Sequence, residues 1–344
     1  MQQFNLSQIT NSSLHEIKFY LNYTVIYGFT PAISNTVLKG VYLNIGIVGS
    51  GFMGSMHANL YKKIKCAHNQ GITNKSSTNA KKIADDLSIQ CYQDYKKMLN
   101  DSAIDIVDIC TPTDSHTLIA IESMKMNKHV ILEFPAVSSL SELEELRKVS
   151  RETGKICALA YYSRFQSQYK YIFDAAISGS LGKINGLSIS RKSSPVFYSD
   201  DIVNNLISQD IDFMVRLLGK PNKIHASNIK QKCAVFIFEY DCLSAVISGA
   251  VNMHKNFPFS THHHVSGKKG SLDLSWKFTD HPEYTMTQTS ENGSSNINNQ
   301  DYDPYHKELE VIVEGIINNQ TSAFDIESAA MGITLSLECR ELLR

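Results

Sequence analysis

The sequence predicts an α/β protein in two parts. A parallel, doubly wound sheet comes first, and an α/β unit with an open, mostly antiparallel sheet follows. Three observations carry this. Asn44–Ile64 runs from an apolar, β-branched stretch (Ile45, Ile47, Val48) through Gly49-x-Gly51-x-x-Gly54 into a helical pattern with Met53, Met56, Leu60 and Ile64 on one face. Strand-like runs then alternate with helical segments as far as residue 160, the pattern of βαβ crossovers. Beyond that point strand-like runs succeed one another with few long helices. The 344 residues suffice for two domains, and 42% hydrophobic residues against 19% charged supply a large core.

Strand, glycine turn and helix in this order are the fingerprint of a Rossmann dinucleotide-binding domain, expected over residues 44–161. Gly49 would allow the tight turn, Gly51 the approach of a pyrophosphate, and Gly54 close packing of helix on strand, with the phosphates on free N–H groups at the helix N-terminus. An NAD-preferring domain places an acidic residue about 20 to 25 positions past the first glycine, where it holds the ribose 2′-hydroxyl. Here that place holds Asn74, followed by Lys75, Ser76 and Ser77. No carboxylate repels a 2′-phosphate and a cation stands ready for one, so the sequence predicts NADP(H) in preference to NAD(H).

The rest of the first part follows in order. A helix is expected over Asn79–Leu87 and another around Tyr95–Asn100, then the buried strand Asp105–Cys110. Asp114 or Thr113 is placed to cap a helix Thr117–Met126. The strand His129–Leu132 runs into Glu133-Phe134-Pro135. A helix with Leu140, Leu143, Leu146 and Val149 on one face stops at Gly154, and Ser141 and Glu144 have capping-box spacing. After Lys155–Ala160 a helix Gln168–Ser178 ends at Gly179. Strands are expected at Ile184–Arg191, Lys223–Ile229, Ala234–Tyr240, Leu243–Val251, His262–Ser266 and Ser271–Trp276. By composition Glu291–Asn299 is a flexible surface loop. Two amphipathic helices close the second domain (162–344): one carries Leu309, Ile312, Val313, Ile316 and Ile317, the other spans Ile326–Leu343.

Composition also excludes. The formal net charge is −1 with no basic block, which argues against nucleic acid or an anionic membrane as partner. Seven cysteines (66, 91, 110, 157, 233, 242, 339) are scattered without a C-x-x-C pair, so free thiols in the cytoplasm are expected rather than a zinc site or a disulfide framework. No run of 18 apolar residues predicts a membrane span. Residues 1–43 lack the features of a signal peptide, since Ile17–Ile33 is broken by Lys18, Asn22, Gly28 and Pro31. They are expected to be an extension outside the core fold. His262-His263-His264 alternate across a strand, and no carboxylate stands at ligand spacing, so no metal site is expected. Cys110 is read as a packing residue.

Several further pieces fall in a recognisable order: Thr111-Pro112-Thr113-Asp114-Ser115-His116, Lys128-His129-Val130-Ile131-Leu132-Glu133-Phe134-Pro135, Ser163-Arg164-Phe165, Gly179-Ser180-Leu181-Gly182-Lys183-Ile184, Gln209-Asp210-Ile211-Asp212 and Leu217-Leu218-Gly219-Lys220-Pro221. With the glycine fingerprint, they make the chain resemble the glucose–fructose oxidoreductase/inositol dehydrogenase (Gfo/Idh/MocA) family over about residues 44–344. The resemblance implies hydride transfer between a nicotinamide and a small sugar-like carbonyl or hydroxyl substrate, in a pocket between the two domains. It implies a homodimer or tetramer formed through the second sheet. Gly49, Gly51, Phe52 and Met53 would hold the pyrophosphate, and Asn74, Lys75 and Ser76 the adenosine ribose. Thr111, Pro112, His116, Glu133 and Pro135 would line the nicotinamide end.

One departure stands out. The family supplies a Lys in Glu-Lys-Pro and an Asp and a His spaced Asp-x-x-x-His. The matching positions here are Phe134, Asn205 and Gln209, none of which exchanges a proton near neutral pH. Losing one positioned acid or base typically costs about 100- to 10,000-fold. Three readings stay open: a sugar oxidoreductase with relocated groups, a reductase of a conjugated substrate like the biliverdin reductases (which carry Glu-Tyr-Pro), or a catalytically silent nucleotide-binding protein. Under the first, Tyr161, Tyr162, Arg164 and Asp212 are the catalytic candidates, beside Phe134, Asn205 and Gln209 as substrate contacts. His116 as a brace for its helix, Arg164 as an interdomain ion pair and Asp212 as a salt-bridge carboxylate are the structural alternatives.

Overall fold

The computed structural model describes residues 41–75, 77–195, 201–229, 232–279, 281–298 and 303–344. Ser76 and all but the last three residues of the expected N-terminal extension lie outside the described residues. The first part comprises β1 (Leu43–Val48), α1 (Phe52–Tyr61), β2 (Ala67–Thr73), α2 (Ser77–Leu87), β3 (Gln90–Cys91), α3 (Tyr95–Leu99), β4 (Ile106–Ile109), α4 (His116–Lys125), β5 (His129–Leu132), α5 (Leu140–Thr153) and β6 (Cys157–Leu159). The six strands pair in parallel in the order β3-β2-β1-β4-β5-β6. Every residue of β4 is buried, as expected of a strand with helices over both faces. Strand order reverses between β1 and β4, so the segments at their C-terminal ends, 49–51 and 110–115, flank the crevice where such sheets bind ligands.

Two capping expectations are corrected. The capping box of α5 is Ser139 with Glu142, not Ser141 with Glu144. The Ser139 hydroxyl accepts the Glu142 N–H (3.3 Å), and the Glu142 carboxylate takes the N–H groups of Ser138 (2.7 Å) and Ser139 (3.1 Å). Leu140 is already helical, so Ser141 sits inside the first turn. Neither Asp114 nor Thr113 caps α4; residues 113–115 form a 3₁₀ turn, and Ser115 occupies the cap position without a side-chain cap bond. Its hydroxyl turns back to Thr111 Oγ1 (2.8 Å) and the Pro112 carbonyl (2.9 Å).

The chain then makes a short turn (Tyr162–Phe165) before α6 (Ser167–Ser178), β7 (Ile184–Lys192), a π-helical turn (Val203–Ile207) and α7 (Ser208–Leu218). Seven more strands follow: β8 (Lys223–Ile229), β9 (Cys233–Glu239), β10 (Ser244–Ala250), β11 (Phe259–Gly267), β12 (Gly270–Phe278), β13 (Pro282–Ser290) and β14 (Gly293–Asn296). With β7 they form one sheet, β14-β13-β12-β11-β7-β10-β9-β8, antiparallel except where β7 meets β10. Alternation is strict in β9, with Ala234, Phe236 and Phe238 buried and Val235 and Ile237 turned outward. The loop expected at 291–299 is in part a strand: Gly293, at φ +104°, closes a tight hairpin, and Gln288↔Ser295 and Thr287↔Asn296 pair across it. The polar composition suits an exposed edge strand as well as a loop.

The closing helices, α8 (Pro304–Ile317) and α9 (Ile326–Glu341), return to the first sheet. Leu309, Ile312 and Val313 share a core with Ile45 and Ile72, and Ala329, Ile333 and Leu337 pack with Leu143 and Leu146. The Leu159 N–H donates to the Phe324 carbonyl (2.8 Å). Gly332 seats α9 on α7, since a Cβ there would lie 2.9 Å from the Asp212 Cα.

Candidate cofactor and active site

The glycine turn after β1 has three distinct jobs. Gly49 adopts φ +115°, and a Cβ there would strike the Cys110 carbonyl. A Cβ on Gly54 would strike the Gly49 carbonyl, so its absence lets α1 lie close to β1. Gly51 faces open space with nothing within 4 Å. It is the N-cap of α1 and no side chain caps the helix, which leaves the first-turn N–H groups directed at that space. An uncapped helix N-terminus beside cleared backbone fits a pyrophosphate. Phe52, 82% exposed, and the half-buried Met53 border it.

Beyond β2, Asn74 is tied to the turn: its Nδ2 donates to Ser50 Oγ (2.7 Å), and its Oδ1 accepts the Lys75 N–H (2.9 Å). Asn79 donates to the Ser50 carbonyl. Lys75 is exposed at the strand end. At the other end of the crevice, Thr111 and Pro112 follow β4, and the Phe134–Pro135 peptide bond is cis. His116 is buried, with Nε2 2.7 Å from the Thr111 carbonyl and Nδ1 3.3 Å from that of Ala136. Burial pulls its pKa below the usual range. A neutral ring has one N–H, so His116 donates to one of these two carbonyls, and the shorter contact is the one to Thr111.

Beneath this end lies a buried charge cluster. His57 Nδ1 is 2.8 Å from Asp108 Oδ2, which also accepts from the Tyr61 hydroxyl (2.8 Å). His57 Nε2 is 3.1 Å from Glu133 Oε1, while Glu133 Oε2 accepts the Phe134 N–H (2.8 Å). The Cys110 thiol lies 3.5 Å from His57 Nδ1. Burial works against charge on His57, but Asp108 and Cys110 outweigh it and keep the imidazole protonated well above its ordinary range. Glu308, on α8, is 1% exposed, and neither of its carboxyl oxygens has a hydrogen-bond partner.

The second domain contributes two buried ion pairs. Arg164 grips Asp212 through Nε–Oδ2 (2.9 Å) and Nη2–Oδ1 (2.7 Å), and Nη1 donates to the Ala323 carbonyl (2.7 Å). Arg191 grips Asp210 through Nε–Oδ2 and Nη2–Oδ1, both 2.7 Å, and the Tyr169 hydroxyl donates to the same carboxylate. Gln209 Oε1 accepts the Ser163 N–H (3.2 Å), and Asn205 lies in the π-helical turn one step before α7. Phe134 meets Tyr161 edge-on at 5.5 Å. Tyr162 stacks on Tyr305 at 4.6 Å, with its hydroxyl 3.5 Å from Arg191 Nη1. The structure therefore brings Arg164 and Asp212 together with each other, and Tyr162 with Arg191. On the outer sheet face, His262 (2.8 Å) and His264 (3.1 Å) both reach Asp273, a carboxylate supplied by strand pairing rather than by sequence spacing.

Residues 43–161 match the model of the Gfo/Idh/MocA oxidoreductase family, NAD-binding Rossmann fold. These residues form a Gfo/Idh/MocA NAD-binding domain. The myo-inositol 2-dehydrogenase of Thermotoga maritima is 23% identical over 330 residues, 88% of this chain and 96% of that protein. Among solved structures, UDP-N-acetylglucosamine 3-dehydrogenase from Acidithiobacillus ferrooxidans superposes with a TM-score of 0.78 at 18% identity, covering 88% of this chain and 98% of that one. Scyllo-inositol dehydrogenase from Lactobacillus casei, with bound NAD(H) and scyllo-inositol, gives 0.73 at 21% identity over 88% and 97%. These structures share the fold of the Gfo/Idh/MocA domain and of the sheet that follows it.

Sequence reasoning passed over the buried cluster around His57. Its signal was present in Asp108, a carboxylate inside the otherwise apolar run Ile106-Val107-Asp108-Ile109, since fully buried acids are rare unless paired. Glu308 left a fainter mark, standing four residues before Ile312 on the apolar face of its helix.

Proposed function

We propose that this chain is a cytoplasmic oxidoreductase that binds NADP(H) in preference to NAD(H). It would move hydride between nicotinamide C4 and a carbon of a small, sugar-like alcohol or carbonyl compound. The observation that carries the reading is the cleared Gly51 turn on an uncapped helix, at the switch point of a Gfo/Idh/MocA domain. Exposed Lys75 with no acidic residue beside Asn74 supports the phosphorylated cofactor, and the relatives' action on inositols and a nucleotide sugar supports the substrate class. Free thiols at all seven cysteines accord with the cytoplasm. The outward, partly exposed Val235 and Ile237 support a homodimer or tetramer.

Bound at this site, the cofactor would take up or give hydride at C4. The chain's own residues must orient the substrate and move the hydroxyl proton. Tyr162, held flat by Tyr305 with a guanidinium beside its hydroxyl, is the group we place at the substrate oxygen. Arg164 and Asp212 neutralise each other in the interior, so we assign them to positioning: they fix the turn that carries Tyr162, and Asp212 lies one helical turn from Gln209. Phe134, Asn205 and Gln209 then contact substrate without exchanging protons.

Converting those three residues tests the substrate reading. Phe134→Lys with Asn205→Asp and Gln209→His should raise NADP-linked polyol oxidation by about 100-fold or more, the scale of a restored acid–base group. Phe134, an aromatic residue in place of a proton-exchanging lysine, supports a second reading, reduction of a conjugated substrate. A triple variant that stays silent, while the native protein reduces a conjugated carbonyl compound, would select that reading instead.

A further inference from the structure

Glu308 has no structural account in the reading above. It is a carboxyl group carried by the second domain's returning helix α8, yet it is buried against the first domain, and both oxygens lack a hydrogen-bond partner. Leaving a buried acid unpartnered costs stability, and far more when it is charged with no counter-charge than when it is neutral. The groups around it come from every element packed there: His57 and Tyr61 from α1, Asp108 from β4, Glu133 from the end of β5, and Arg164 from the turn at 162–165. Its neighbours on α8, Lys307 and Glu310, pair with each other at 2.9 Å. Burial, and then the negative charge of Glu133, hold the Glu308 carboxyl well above the usual range, while His57 and Arg164 only partly offset them. Glu133 and His57 are also the groups that link this pocket to the nicotinamide end of the crevice.

We propose that Glu308 exchanges a proton in step with the charge on the nicotinamide: it is protonated in the empty site and with the reduced cofactor bound, and ionised when the oxidised cofactor is bound. The inference rests on the cofactor site proposed above. Its balance is simple. Docking of the cationic, oxidised ring adds one positive charge near Glu133, and the Glu308 carboxylic acid answers by releasing one proton to solvent. When hydride leaves the substrate carbon for the ring, that charge disappears, and the carboxylate takes up one proton. The substrate hydroxyl releases one proton in the same step, so charge and protons balance with no further reactant. Glu308 touches neither substrate nor cofactor in this account, and it acts through Glu133 and His57 as a positioning residue for charge.

The test needs binding, not turnover. The full-length protein is saturated with NADP⁺ and, separately, with NADPH in weakly buffered solution containing a pH indicator, and calorimetry reports binding in parallel. Both nucleotides carry the 2′-phosphate, whose second pKa is about 6, so its own proton cancels in the difference. Near pH 7, NADP⁺ should release about one proton per site more than NADPH, and its affinity should rise by up to tenfold per pH unit while that of NADPH does not follow. Glu308→Gln, uncharged at any pH, should bind both nucleotides and abolish the difference. Saturable binding with equal proton release would overturn the inference, as would a difference that survives in Glu308→Gln. If that variant does not fold, the pH series on the native protein decides alone. Absence of binding by either nucleotide would overturn the cofactor reading itself, which keeps the two failures distinct.

Discussion

Asp212→Ala is expected to remove about 3–5 kcal/mol of stability, read as a lower urea midpoint. The substitution takes both Asp212 bonds from the buried Arg164 guanidinium, which keeps bonds to the Ala323 carbonyl (2.7 Å) and the Ser328 hydroxyl (3.4 Å) but loses its counter-charge. That loss is large against the 5–15 kcal/mol of a typical domain. The pair also joins three separate pieces of chain: the turn at 162–165, helix α7, and the segment that leads from Ala323 into α9. Gly332 brings α9 within contact of Asp212, so the damage should spread to the helix packing there. A midpoint unchanged from the native protein would show that Asp212 is not the counter-ion on which Arg164 depends.

Gly51→Val is expected to weaken NADP(H) binding by about 100-fold while leaving the melting temperature close to native. Gly51 has φ −73° and ψ −161°, which a β-branched residue accepts, and open space receives the new side chain, so the fold has no reason to object. That same space is where the cofactor's phosphates would meet the first-turn N–H groups. Charge-assisted hydrogen bonds contribute about 1.5–3 kcal/mol each, and displacing one or two accounts for the hundredfold change, at 1.4 kcal/mol per factor of ten. Gly49 and Gly54 are unsuitable for this experiment, because a side chain at either strikes backbone and would confound binding with folding. Native affinity in Gly51→Val would remove the glycine turn from the site.

The parallel sheet, its helices and the glycine turn were legible because their signals are local: an apolar run, a turn residue and a helical period read from neighbours in sequence. Errors arose where one residue decides between equivalent local patterns. Ser139/Glu142 and Ser141/Glu144 both have cap spacing, and the seating of Leu140 chose between them. The hairpin at 290–293 was missed because Ser and Asn at 294–296 satisfy a polar edge strand and a loop alike. The candidate site was legible at the cofactor end, where a motif specifies backbone, and much less so at the substrate end. Arg164 and Asp212 are 48 residues apart, and nothing in their local sequence says that each satisfies the other. Glu308 is more remote still, carried back to the first domain by a helix whose apolar face explained itself without the acid.

The most direct test of the account is a titration of the purified native protein with NADPH and with NADH, following nicotinamide fluorescence and thermal shift together. The account predicts saturable binding of both, with NADPH the tighter. It also predicts that ligand at 100 times its dissociation constant stabilises the folded protein by about 2.7 kcal/mol. If neither nucleotide binds, the fold has been kept without its cofactor and the oxidoreductase reading is contradicted.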